Sequence, residues 1–171
     1  MDNISVLISE EDINKRIKEL AEEINRDYEG KEIRIIGILK GSVYFMTELT
    51  KHITIPVTFD YIDVSSYGNQ MSAGKLVIKK KLDEEIKGLD CIIIEDIIDT
   101  GNTLSMLKNE LSKMKPASLE ICTLLDKPSR RAVLVDVKYK GFEIEDKFVV
   151  GCGMDYAQKY RNLTYVGVIE N

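Results

Sequence analysis

The soft metal ligands histidine and cysteine are scarce in this sequence. It has one histidine and three cysteines, and Cys91, Cys122 and Cys152 lie about 30 residues apart with no CxxC pair. That excludes a structural zinc centre and leaves the thiols as buried strand residues. No apolar run approaches the roughly 20 residues that span a bilayer, and Met1-Asp2-Asn3 begins no signal peptide, so no membrane association is expected and the cytoplasm is the expected location. Positive charge is also short: 24 Lys and Arg stand against 29 Asp and Glu, a net charge of −5 with a pI near 5.1. A broad footprint for nucleic acid is excluded on that balance, although one focused anion site needs no basic surface. No repeat, low-complexity tract or linker divides the chain. Its 171 residues, 44% hydrophobic and 31% charged, suit a single domain over 1–171 whose core needs neither disulfide nor metal.

What is present concentrates in one stretch, Cys91-Ile92-Ile93-Ile94-Glu95-Asp96-Ile97-Ile98-Asp99-Thr100-Gly101-Asn102-Thr103-Leu104. The β-branched run reads as a strand buried on both faces, as in a parallel sheet covered by helices. Two carboxylates follow at its carboxyl end. Asp99 to Thr103 are small residues that can turn the backbone and offer hydroxyls and unpaired amides, and Leu104, Leu107, Leu111 and Met114 then recur with helical spacing. A loop opening a helix in this way seats a phosphate, because N–H groups converge and the helix dipole favours negative charge. It is not a Walker loop, since the glycine spacing and the Gly-Lys-Ser/Thr ending are missing. Acids beside a phosphate site need another partner, and ribose hydroxyls or hydrated magnesium fit that need. The residues thus point to a sugar phosphate. An apolar run alone would mean only a buried strand with a solvated turn.

Elsewhere the pattern alternates helices with strands. Ser9 with Asp12 forms a capping-box start, Ile13, Ile17, Leu20, Ala21 and Ile24 share one helical face, and Gly30 ends the helix. A core strand is predicted over 33–39, a helix over 43–53, a strand over 56–64, a small polar loop over 65–74 and renewed extended structure from Lys75. Lys79, Lys80 and Lys81 read as an exposed hairpin end, and His52 as an ordinary helix-end residue. A strand over 118–125 ends in the basic turn Asp126-Lys127-Pro128-Ser129-Arg130-Arg131, which on its own is a set of solvated loop charges. Residues 141–151 lack a helical period and read as short strands and turns, with a closing strand over 165–169.

The string Glu95-Asp96-Ile97-Ile98-Asp99-Thr100-Gly101, continued by Asn102-Thr103, resembles the phosphoribosyl pyrophosphate signature of type I phosphoribosyltransferases, and within them the 6-oxopurine branch, the hypoxanthine-guanine phosphoribosyltransferases. The likeness runs from Leu39-Lys40-Gly41 to Asp155 and Arg161. It implies an α/β fold, a mostly parallel twisted sheet flanked by helices over about 33–140, with a small hood built from 1–30 and 141–171. It also implies roles. Lys40 and Gly41 would contact pyrophosphate in a loop that often carries a non-proline cis peptide, and Ser66 and Tyr67 would close as a lid. Glu95 and Asp96 would hold the ribose hydroxyls and magnesium, with Asp155 a further metal ligand beside the purine. Asp99, Thr100, Gly101, Asn102 and Thr103 would bind the 5-phosphate, Asp99 serving also as general base. Arg131 and Arg161 would lie at pyrophosphate. Lys127 would read the exocyclic oxygen of the purine, Phe148 would stack on the base, and Val149 would meet the purine edge through its backbone. One departure is Asn102, where some relatives carry lysine. The implied partners are phosphoribosyl pyrophosphate, a 6-oxopurine and further copies of the chain in a homodimer or homotetramer. Transfer to another base, an RNA-binding regulator on the same scaffold and a non-catalytic phosphate-binding module are the competing readings.

Overall fold

A computed structural model describes residues 3–67 and 75–170. In chain order the elements are β1 (Asn3–Ile8), α1 (Glu10–Asp27), β2 (Ile33–Ile38), α2 (Ser42–Thr50), β3 (Val57–Tyr67), β4 (Lys75–Lys80), β5 (Asp90–Ile98), α3 (Asn102–Ser112), β6 (Ser118–Asp126), a 3-10 turn (Pro128–Arg130), β7 (Tyr139–Glu143), β8 (Val149–Val150) and β9 (Val166–Glu170). Six strands form a sheet in the order β4-β3-β2-β5-β6-β7, parallel except for the β3–β4 pair. A second, antiparallel sheet in the order β1-β9-β8 joins the two ends of the chain.

Alternation along the parallel strands divides the core into two layers. Ile33, Ile35, Ile92, Ile94, Cys122 and Leu124 pack with α1 and α2, whereas Ile36, Ile38, Cys91, Ile93 and Ile121 pack with Leu104, Leu107 and Leu111 of α3. Helix α1 starts where the Asp12 N–H donates to the Ser9 hydroxyl at 3.1 Å. Glu10, Glu11 and Asp12 in its first turn complement the helix dipole. Its five apolar residues are buried as their spacing predicts. The three thiols are free and buried, Cys91 in β5, Cys122 in β6 and Cys152 in a turn rather than a strand.

Several boundaries differ from the sequence reading. Helix α1 ends at Asp27, and Gly30 occupies the turn beyond it at φ 74°. Helix α2 ends at Thr50, and Met114 lies outside α3, 36% exposed. Strand β5 continues through the acids to Ile98, because β6 keeps pairing with it as far as Ile98–Asp126. Strand β3 runs past Val64 to Tyr67, because β4 pairs with this extension and gives its backbone partners beyond the sheet proper. Residues 68–74 of the expected polar loop lie outside the described residues, as does the side chain of Tyr67. Among the described residues no helix is long and apolar enough to cross a membrane.

Candidate active site

The carboxyl ends of β2, β5 and β6 meet at one edge of the parallel sheet, the place where open α/β sheets bind ligands. A cleft of about 300 Å³ opens there, lined by Leu39, Gly41, Val64, Glu95, Asp96, Asp99, Thr100, Gly101 and Thr103 among others. Gly101 is its pivot. It caps α3 in the left-handed region at φ 83° and offers no side-chain cap. A Cβ there would lie 2.8 Å from the Val133 carbonyl oxygen, so only glycine lets the loop pass. The Thr100 carbonyl accepts from the N–H groups of Ala132 and Val133 at 2.9 and 3.2 Å, which pins the loop. First-turn N–H groups of α3 lack an intrahelical carbonyl partner; that of Asn102 donates to the Thr100 hydroxyl at 3.4 Å, a long bond that an anion at this helix start can replace. Ser66 and Thr103 share a hydroxyl–hydroxyl hydrogen bond of 2.7 Å, bringing the β3–β4 arm onto this loop.

Glu95 and Asp96 form the cleft floor. The Asp96 N–H donates to Glu95 Oε1 at 3.1 Å and the Ile97 N–H to Asp96 Oδ1 at 2.8 Å. Burial holds the Glu95 carboxyl well above the usual range, and the neighbouring Asp96 charge adds to the rise. Burial also raises Asp96, against the lowering influence of its hydrogen bonds and of Arg161. Two enclosed, mutually repelling carboxyls suit a cation. Among the described residues no cluster of three His, Cys, Asp or Glu could hold a metal, but magnesium commonly takes only one or two protein carboxylates beside substrate oxygens and water. The Glu95–Asp96 pair fits that requirement. Asp155 is not brought into it: its carboxylate accepts from Arg161 Nη2 at 2.7 Å and from the Gln158 N–H at 2.8 Å.

Glycine packing backs this floor. A Cβ on Gly41 would lie 1.8 Å from Asp96 Oδ2, and one on Gly153, at φ 100°, would lie 1.9 Å from the Gly41 carbonyl oxygen. The Cys152-Gly153-Met154 turn therefore rests on the Lys40–Gly41 loop, which rests on Asp96. Arg161 Nη1 donates to the Gly153 carbonyl at 2.6 Å and so braces the same stack. The Leu39–Lys40 peptide is cis, as the resemblance implied, and the Lys40 side chain is exposed. Gly153 was not picked out by sequence reasoning, since nothing local marks a glycine whose neighbour is over a hundred residues away.

Lys127 stands at the end of β6, only 7% exposed, with its N–H donating to the Ile98 carbonyl at 2.9 Å and its ammonium 3.7 Å from Asp146 Oδ1. Phe148 is 57% exposed, and Tyr156 meets it edge-to-face at 5.7 Å and 82°. Val149 is buried and pairs with Val168. The two arginines of the basic turn diverge. Arg131 donates to the Asp126 carboxylate and, at 2.7 Å, to the Asp99 carbonyl, and with Arg131 13% and Asp126 4% exposed it braces the loop from beneath. Arg130, which sequence reasoning passed over, donates through Nε to Asp99 Oδ1 at 3.1 Å. Asp146 and Tyr156 also escaped it.

Residues 8–157 match the phosphoribosyl transferase domain, and the chain belongs to that family. It is a pentosyl-transferring enzyme by that membership and by its high-identity relatives. Among those is the hypoxanthine phosphoribosyltransferase of Haemophilus influenzae, 49% identical over 98% of this chain and 96% of the relative. Another is the hypoxanthine-guanine phosphoribosyltransferase of Bacillus subtilis, 49% identical over 96% and 92%. A solved hypoxanthine-guanine phosphoribosyltransferase from Bacillus anthracis superposes with a TM-score of 0.94 at 47% identity, covering 99% of this chain and all of that one.

Proposed function

We propose that the protein serves purine salvage, moving the 5-phosphoribosyl group from phosphoribosyl pyrophosphate to hypoxanthine or guanine and releasing IMP or GMP with pyrophosphate. The observation that carries this reading is the placement of the Glu95–Asp96 pair beside the open start of α3, with Lys127 at the neighbouring strand end.

On this reading the α3 amides and the hydroxyls of Thr100 and Thr103 hold the 5-phosphate, and Glu95 and Asp96 hold the ribose diol. Breaking the anomeric bond builds oxocarbenium character at the sugar. Magnesium, held by Glu95 and Asp96, supplies charge neutralisation at pyrophosphate when bound. Lys40, exposed and without an ion pair among the described residues, is the cation able to reach the leaving group. Arg161 sets the Gly153 backing of that loop, and Arg131 fixes the loop that carries Asp99. Asp99 takes the proton from the purine nitrogen. Lys127 donates to the 6-oxo group while Phe148 offers its exposed face to the ring. Adenine presents an amine donor to Lys127, and two facing donors in a closed site are strongly disfavoured. Self-association into a dimer or tetramer belongs to the same reading.

A panel of hypoxanthine, guanine, xanthine, adenine and uracil with phosphoribosyl pyrophosphate and magnesium tests it. Turnover is expected with hypoxanthine, guanine or both and not with adenine or uracil. Efficient use of adenine, or no turnover with any base, removes the proposal.

A further inference from the structure

Asp99 is engaged before any base arrives. Arg130 Nε donates to its Oδ1 at 3.1 Å, Arg130 Nη1 lies 3.7 Å from Asp146 Oδ2, and Asp146 Oδ1 lies 3.7 Å from Lys127 Nζ. Side chains from the β5–α3 loop, the basic turn and the β7–β8 connection thus run in a line of alternating charge from the proton acceptor to the purine reader. The guanidinium takes one of the two Asp99 carboxylate oxygens and withdraws electron density from both, so Asp99 is the better acceptor for the purine proton once Arg130 has left.

Exposure decides which contacts can exchange. The side chains of Arg130, Asp99 and Asp146 are 46%, 47% and 53% exposed, and ion pairs that solvated are held weakly. The neighbouring Arg131–Asp126 pair is enclosed and stays fixed. Arg130 already straddles two carboxylates with different edges of its planar fork. Resting on the function proposed above, we infer that Arg130 is an exchangeable mask on Asp99, and that Asp146 is the positioning residue that draws Arg130 off the base when a purine engages Lys127. As Lys127 turns to the purine oxygen, its hold on Asp146 loosens, and the freed carboxylate becomes the better partner for Arg130.

The test is a double-mutant cycle on the full chain, with each variant's fold checked by circular dichroism and melting. Asp146→Asn should lower kcat/KM for hypoxanthine about threefold to fivefold with KM for phosphoribosyl pyrophosphate unchanged, and Asp146→Glu should recover most of it. The same D146N change made in an Arg130→Gln background should cost about twofold or less relative to R130Q alone, because no mask remains to be removed. A D146N loss of full size in the R130Q background overturns the inference, because Asp146 would then act through Lys127 or the fold alone. If Asp99→Asn keeps full turnover, the base assignment falls and this inference with it. An inactive D99N with a persistent D146N loss removes only the inference.

Discussion

The two ends of the cleft are built by different means. At the end that the proposed function gives to the phosphate, close packing does the shaping: Gly153 rests on the Gly41 carbonyl and Gly41 on the Asp96 carboxylate with no room for a Cβ, Gly101 turns under the Val133 carbonyl, and Arg131 is locked to Asp126. At the end that the proposed function gives to the purine, half-exposed side chains face one another across 3 to 4 Å, with Arg130 between Asp99 and Asp146 and Phe148 open to solvent. Close packing holds geometry to a few tenths of an ångström, whereas solvated ion pairs rearrange at little cost. On the proposed function, the rigid end meets a sugar phosphate of fixed shape, and the adaptable end takes proton transfer and base recognition.

The sharpest way to break this contrast is to add one methyl group at the rigid end. Gly41→Ala places a carbon into Asp96, and a displacement near 1 Å should lower kcat/KM for phosphoribosyl pyrophosphate about a hundredfold, read by steady-state kinetics on a variant with an unchanged circular dichroism spectrum. Next in size is the carboxyl pair. The folded Glu95 carboxyl titrates above its unfolded counterpart, so the stability it contributes is complete below the ordinary glutamate range and is lost as pH rises through the folded value. Glu95→Gln removes that loss. It should melt about 2–4 °C above the parent once the pH exceeds the folded Glu95 value, match it in acid and, on the proposed function, gain less melting temperature than the parent from magnesium with phosphoribosyl pyrophosphate. The smallest effect belongs to the adaptable end, where Phe148→Leu should raise KM for the purine about threefold to tenfold and leave phosphoribosyl pyrophosphate unaffected. Equal sensitivity at Phe148 and Gly41 would erase the distinction.

The same contrast governs how much could be read from sequence. Strands β2, β5 and β6 carry their burial in their own residues, so their place in a covered parallel sheet was legible, as were the α1 face and its Ser9 start. The Asp99–Thr103 loop was legible because turn-forming residues and a helix start lie side by side. Strand β1 was not, since its partner β9 begins over 150 residues later and Val6 faces solvent. Gly153, Arg130, Asp146 and Tyr156 were missed for a related reason: each matters through a neighbour set by the folding of β6, β7 and the closing turns. Asp155 was expected at a metal; its carboxylate accepts from Arg161, six residues on, across the turn that holds the Tyr156–Lys159 bridge.

The three buried thiols have a practical use. Burial pushes Cys91 and Cys152 up to about 11 and Cys122 higher still, so at neutral pH almost none is thiolate and alkylating reagents find nothing to attack while the chain stays folded. Labelling rates would then report opening events: Cys91 and Cys122 signal exposure of the central sheet, and Cys152 signals release of the turn behind Gly41. A pulse of iodoacetamide with and without substrate would time those events separately.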